Sequence, residues 1–119
     1  MDDPVIATRV RTMLDREADF DERMDAVMRF SNEYAPASEQ QPAWMFDEHV
    51  LDALAELASR RGDDELLLAA EAAEALALTW IYSGRFEGRD RERFDRLADD
   101  AQREVRAFFE VNKRAEWLN

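Results

Sequence analysis

Apolar positions recur along this chain at intervals of three and four residues, the spacing of one face of an α-helix. No segment alternates apolar and polar residues with the period of two that a half-buried strand requires. The longest apolar stretch, residues 66–82, is interrupted only by Glu71, Glu74 and Thr79. Because a helix that is apolar on all sides is normally buried, this stretch predicts a buried central helix over about residues 64–83.

Two interpretations of residues 4–34 remain open. Asp3 followed by Pro4 is typical of a helix start, and no further proline or glycine occurs in this range. The unbroken apolar phase favours one long helix. Asp19 and Glu22, however, have the spacing of a capping box, which favours a second helix starting there.

Prolines, glycines and acidic residues divide the middle of the chain. The segment 35–42 holds two prolines and no apolar periodicity, so it predicts a connector. The apolar stripe after it predicts a helix over 43–61, with Gly62 as its C-terminal cap. Asp63 or Asp64 is then expected to cap the central helix.

The last third predicts one long helix, from about residue 90 to residue 117. Its apolar residues again follow each other at fours and threes, from Phe94 to Ala115. Short connections between helices imply antiparallel neighbours, and 119 residues suit one domain with a single core. We therefore expect residues 1–119 to form a single all-α bundle of four or five antiparallel helices.

The formal charge of −12 limits the expected partners and location. Phosphate backbones and anionic membranes attract cationic patches, so neither nucleic acid nor a membrane is an expected partner. The chain has no cysteine, and its acidic N-terminus lacks a signal-peptide pattern, which favours the cytoplasm. Arginine in place of lysine is typical of high-GC coding. Together with the excess of acids, it also fits a halophile with a salt-rich cytoplasm.

No catalytic constellation stands out. His49 is the single histidine, and its helix neighbours Asp52 and Glu56 predict an exposed or ion-paired ring. No serine lies in a Gly-x-Ser-x-Gly setting. We assign no catalytic residue, no metal ligand and no cofactor, and the leading hypothesis is a non-enzymatic interaction or regulatory module.

Two acidic pairs support an alternative function. Glu71 and Glu74 lie three residues apart on the central helix, and Glu92 and Asp95 have the same spacing on the next. This pattern resembles the metal motif of the all-α nucleotide pyrophosphohydrolases of the MazG type. The resemblance implies Mg²⁺ held by these four carboxylates, with a nucleotide as substrate.

Aromatic residues are numerous for a core of this size. Aromatic and methionine side chains within a polar rim are typical anchors of protein interfaces. We therefore expect a dimer or partner contact, with the homodimer as the leading expectation. In the other interpretation, the same side chains simply widen the core. The candidate contact residues are Trp44, Met45, Phe109 and Trp117.

Overall fold

The computed structural model describes residues 3–36 and 39–118, which fold into six α-helices and three short 3₁₀ turns, without a strand. The all-α prediction is confirmed, but the described residues form six α-helices rather than the expected four or five. The α-helices are α1 (Pro4–Leu14), α2 (Phe20–Asn32), α3 (Glu48–Ala58), α4 (Leu66–Ser83), α5 (Arg89–Arg96) and α6 (Asp99–Val111). The 3₁₀ turns are Ala43–Phe46, Asp63–Glu65 and Ala115–Leu118.

The N-terminal third forms two helices, which decides between the two open interpretations. Asp3 caps α1 as predicted, its carboxylate accepting the Val5 N–H at 2.9 Å. The Asp19 carboxylate accepts the N–H groups of Asp21 and Glu22. Because such a side-chain cap satisfies backbone donors at a helix start, α2 begins there although the apolar phase continues unbroken.

The predicted helix over 43–61 is shorter than expected and is preceded by a separate 3₁₀ turn. Asp47 divides the two, since its carboxylate accepts the His49 N–H at 2.8 Å and caps α3. Gly62 is not the C-terminal cap, which corrects the prediction. The helix already ends at Ser59, and Gly62 has an extended backbone with φ of −70°.

The central helix α4 lacks the predicted acidic cap but ends where expected. Asp63 and Asp64 form a 3₁₀ turn with Glu65, and no side-chain cap bonds to the start of α4. At the other end Gly84 adopts a left-handed φ of +68°, and its N–H donates to the Trp80 carbonyl at 2.9 Å. A glycine in this conformation is a common helix terminus.

The predicted C-terminal helix is divided into α5, α6 and the last 3₁₀ turn. Leu97 and Ala98 have extended backbones, with ψ of 149° and 154°, and they interrupt the helix. The Gln102 amide donates to the Phe94 carbonyl at 2.9 Å, which satisfies an acceptor that the break leaves free. Leu97 stays buried, so the apolar period continues through the break. The apolar spacing therefore does not reveal that the helix is interrupted here.

The core lies around α4, which packs against α2, α3 and α6. By length and composition Asp63–Ser83 could also cross a membrane, with a mean hydropathy of 1.3 in its most apolar 18 residues. Half of that window is buried inside the fold. The prediction of a buried central helix therefore describes one side of α4, and the other side remains uncovered. Fully buried core side chains include Met13, Phe30, Leu54, Leu76, Trp80 and Phe109.

Candidate protein-interaction surface

Three of the four sequence-predicted contact residues lie in the core. Trp44, Met45 and Phe109 are only 7%, 1% and 0% exposed. The Trp44 ring packs edge-on against Phe30, with 4.9 Å between the ring centroids. A side chain buried in its own protomer offers no surface to a partner, so the selection of these three is corrected, and they widen the core instead.

The fourth predicted residue, Trp117, is half-buried against an aromatic cluster at the C-terminal turn. Its ring stacks on Phe86 at 5.7 Å and meets Phe109 edge-on at 5.1 Å. The Arg91 guanidinium donates to the Trp117 carbonyl at 2.6 Å. These contacts attach the last 3₁₀ turn to the rest of the protein, and only part of the Trp117 ring faces solvent.

The four carboxylates of the alternative enzyme hypothesis do not come together. Glu71 and Glu74 are half-buried on α4, whereas Glu92 and Asp95 are exposed on α5, which packs against α3. Within residues 3–36 and 39–118, no three or more His, Asp or Glu side chains are grouped to hold a metal ion. A magnesium site of this type needs carboxylates of both helices on one ion, so this set of ligands is corrected.

His49 is exposed on α3, in agreement with the prediction from its neighbours. It borders an open groove between α1 and α3 that is also lined by Val10, Leu14, Asp52 and Glu56. The chain contains no second histidine and no cysteine. The groove therefore holds one imidazole, without a second imidazole or a thiol beside it.

Large exposed apolar side chains gather on α2 and α4. In the part of the chain that the structure describes, eight large apolar residues are exposed, and five belong to these two helices. Successive residues of a helix are rotated by about 100°, so residues 67, 71, 74, 78 and 82 fall within an arc of about 80° on α4. Within this arc Leu67 and Tyr82 are exposed, and the other three residues are partly buried. The five exposed residues are Phe20, Met28, Leu66, Leu67 and Tyr82.

The exposed sides of the two helices form one continuous surface. At one end Phe20 and Leu67 line the same surface cavity. At the other end Tyr34, just after α2, stacks on Tyr82 with 4.4 Å between the ring centroids. The two helices therefore run in the same direction and stay in contact, which departs from the expected antiparallel packing. We define the α2/α4 face as Phe20, Met28, Leu67, Glu71, Glu74, Leu78 and Tyr82.

Two carboxyl groups lie in the middle of this apolar face. Glu71 and Glu74 lie three residues apart on α4, and both are half-buried. Burial, followed by the charge of Glu71, raises the pKa of Glu74. Among the ion pairs of the described residues, none includes either glutamate.

Tyr34 closes the surface beside the acid pair. Its hydroxyl is buried and has no hydrogen-bond partner among the residues that the structure describes. Burial, followed by the charges of Glu74, Tyr82 and Glu71, raises the pKa of Tyr34. The phenol is therefore neutral at physiological pH, and it adds no further negative charge beside the two glutamates.

The α2/α4 face was missed in the sequence, although a signal for it was present. Residues 66–68 are three consecutive leucines, and neighbouring helix positions point about 100° apart. They cannot all face one core. Leu68 is fully buried, whereas Leu66 and Leu67 are 48% and 68% exposed.

The fold and this surface define an all-α protein with an apolar and acidic helix face. No protein-family model, no curated protein and no solved structure matches the chain. Its function has to be inferred from its own geometry.

Proposed function

We propose that the protein is a non-enzymatic interaction module of the cytoplasm that self-associates as a homodimer through the α2/α4 face. The observation that supports it is the one-sided burial of α4. Leu67 is 68% and Tyr82 44% exposed, beside Phe20 and Met28 at 41% each. Apolar surface left in water costs about 25 cal/mol per Å², and contiguous apolar patches commonly mark protein interfaces.

A second copy of the chain is the occupant that suits this surface. A two-fold dimer brings the same patch of both subunits together, so apolar side chains meet apolar side chains. Five of the seven residues of the defined face are apolar, so it is apolar area that a second copy would cover.

The nucleotide pyrophosphohydrolase alternative has less support than the interaction module. Its two acidic pairs lie on different parts of the fold, one within the α2/α4 face and one on α5.

Sedimentation velocity tests the proposal. We expect the wild-type protein to form dimers within the range from about pH 5 to about pH 8, at concentrations up to about 100 µM. Leu67→Glu places a charge at the most exposed apolar residue of the contact and should give a monomer under the same conditions.

The matched control is Val111→Glu, because Val111 is 81% exposed on α6, outside the α2/α4 face. This variant should dimerise like the wild type, and circular dichroism should show both variants folded. A wild-type protein that stays monomeric over the whole pH range would exclude self-association. Loss of the dimer in both variants would place the contact elsewhere.

A further inference from the structure

We propose that the aromatic pocket under the last 3₁₀ turn is a binding site for a peptide segment anchored by a tryptophan, and that the turn itself is a displaceable occupant of this site. The aromatic pocket is defined as Phe86, Arg91 and Phe109, and the turn is Ala115–Leu118. These residues are separate from the α2/α4 face. The inference therefore goes beyond the proposed function and does not depend on it.

The aromatic pocket binds two features of the turn that other peptides can also offer. The Trp117 indole stacks on Phe86, with 17° between the ring planes, and meets Phe109 edge-on at 5.1 Å. Aromatic pairs in these geometries add to the energy of burial. The Arg91 guanidinium donates to the main-chain carbonyl of Trp117 at 2.6 Å, and every peptide has such a carbonyl. The ligand class is therefore a peptide with an indole beside an accessible carbonyl.

The walls of the aromatic pocket are held by the core and not by the turn. Phe109 is fully buried on α6, and Phe86 meets it edge-on at 5.2 Å. Phe86 also packs edge-on against Trp80 at 4.8 Å and against Phe94 at 6.0 Å. Because these contacts do not involve the turn, the walls stay in place when the turn leaves. A pocket formed in advance binds a ligand without a cost of ordering its own side chains.

A strained hinge joins the turn to α6. Lys113 has a left-handed φ of +59°, and its N–H donates to the Glu110 carbonyl at 3.2 Å. The Arg114 N–H donates to the Phe109 carbonyl at 2.6 Å. These two bonds form a Schellman ending, in which the left-handed residue is usually glycine. A lysine carries a steric cost there that glycine avoids, so the hinge itself disfavours the folded-back position of the turn.

A straight continuation of α6 is the alternative to the folded-back turn. Residues 112–118 contain neither glycine nor proline, and the apolar spacing predicts a helix through them to about residue 117. Straightening relaxes the backbone of Lys113 and takes Trp117 out of the aromatic pocket. None of the described residues Ala115–Leu118 is buried. A competing ligand therefore has few contacts to replace.

The covalent link favours the turn over a ligand in solution. A segment on a short linker has an effective concentration in the millimolar range, so a dilute peptide competes poorly with Trp117. Trp117→Ala removes the indole and leaves the walls of the aromatic pocket unchanged. The vacated pocket should then bind a peptide that carries the residues of the turn.

Fluorescence anisotropy of a labelled synthetic peptide with the sequence of residues 112–118 tests the proposal, with full-length protein as the receptor. We expect Trp117→Ala to bind the peptide at least about tenfold more tightly than the wild type, which retains its tethered competitor. The same peptide with Trp117→Ala should bind neither protein. Lys113→Val keeps the indole but disfavours the hinge, since a β-branched residue at positive φ is an outlier. Its affinity should lie between those of the other two proteins.

The matched control is Glu116→Ala, at an exposed position of the same turn. It leaves the indole in the aromatic pocket, so it should bind the peptide as weakly as the wild type does. Adding Arg91→Ala to the Trp117→Ala protein removes the donor to the peptide carbonyl and should weaken binding by about fivefold. Circular dichroism should show every variant folded.

Three results would overturn the inference. One is the absence of peptide binding to Trp117→Ala at concentrations up to about 1 mM. Another is equal affinity of Trp117→Ala and the wild type, since the peptide and the turn would then occupy different places. The third is equal affinity of Lys113→Val and the wild type, which would contradict release at the hinge. Leu67→Glu added to the Trp117→Ala protein should leave peptide binding unchanged, so failure of the proposed dimer does not affect this test.

Discussion

Glu65 shows how one buried side chain joins several chain segments. Its carboxylate is 6% exposed and accepts a hydrogen bond from Arg23 at 2.8 Å. The Arg23 guanidinium also donates to the Met13 carbonyl at 3.2 Å. Arg60 donates to the Leu14 carbonyl at 2.9 Å and lies 3.8 Å from the same carboxylate. The ends of α1 and α3 and the starts of α2 and α4 therefore meet at this ion cluster.

The pKa of Glu65 reflects these contacts. Burial acts to raise it, but the hydrogen bond from Arg23 and the charges of Arg23, Arg60 and Arg16 outweigh burial, so the pKa lies below the ordinary value of 4.5. A carboxyl with a lowered pKa in the folded state stabilises the fold above its unfolded pKa. That contribution is lost as the pH falls through the lower, folded pKa.

We therefore predict that Glu65→Gln lowers the free energy of unfolding at neutral pH by about 3 kcal/mol, because Arg23 remains buried without its counter-charge. Urea denaturation at pH 7 measures the loss, and the difference from the wild type should shrink at pH values well below 4.5. Asp25→Asn is the control, since it breaks the exposed Asp25–Arg29 pair and should cost less than about 1 kcal/mol. Equal losses in both variants would contradict the prediction.

At the scale of elements, α5 is attached to α3 mainly through Arg93. This guanidinium donates to Asp52 at 2.7 Å, to Asp90 at 3.0 Å and also to Glu48. Asp90 is 1% exposed and also accepts from Arg85 at 3.2 Å. A helix of eight residues is not stable alone, so tertiary bonds of this kind have to hold it.

The prediction for this element is that Arg93→Lys loosens α5. The ammonium group of lysine cannot replace the planar guanidinium, which donates hydrogen bonds to three carboxylates. We therefore expect a loss of about 2 kcal/mol in unfolding free energy. Hydrogen exchange should become faster in Arg89–Arg96 than in the other helices. Arg96→Lys, at an exposed position of the same helix, should stay within about 0.5 kcal/mol of the wild type. Unchanged exchange in Arg93→Lys would show that apolar contacts alone hold α5.

At the scale of the whole molecule, the charge of −12 opposes the compact state through self-repulsion. Raising NaCl from about 0.1 M to about 1 M shortens the screening length from about 10 Å to about 3 Å. Ion pairs weaken at the same time, as between Arg9 and Glu33, which lie 2.9 Å apart. For so acidic a chain we expect the loss of repulsion to be the larger effect.

The melting temperature should accordingly rise by about 4 °C or more over this salt range, equivalent to about 1 kcal/mol. Thermal denaturation followed by circular dichroism measures it. The rise should be smaller near the isoelectric point of about 4.5, where little net charge remains. A melting temperature that falls with salt would indicate that ion pairs dominate, and it would count against adaptation to a salt-rich cytoplasm.

Local chemistry made a large part of the fold predictable. Apolar spacing at threes and fours predicts helices because it places one side of the helix against a core. The cap at Asp3 and the left-handed Gly84 are also local, since side-chain acceptors and glycine set backbone angles within a few residues. The breaks around Asp19 and Leu97 are harder to read, because the apolar period runs through both.

The sequence by itself determined the all-α class, the apolar central helix and the acidic character of this protein. Only the tertiary structure decided which apolar side chains are covered: it buries Trp44 and Phe109 and leaves Leu67 in water. It also keeps Glu74 apart from Asp95. The physical reason is that helix formation depends on residues a few positions apart. Burial depends on neighbours that are distant in the chain, and a pattern along one helix does not reveal which of its sides they cover.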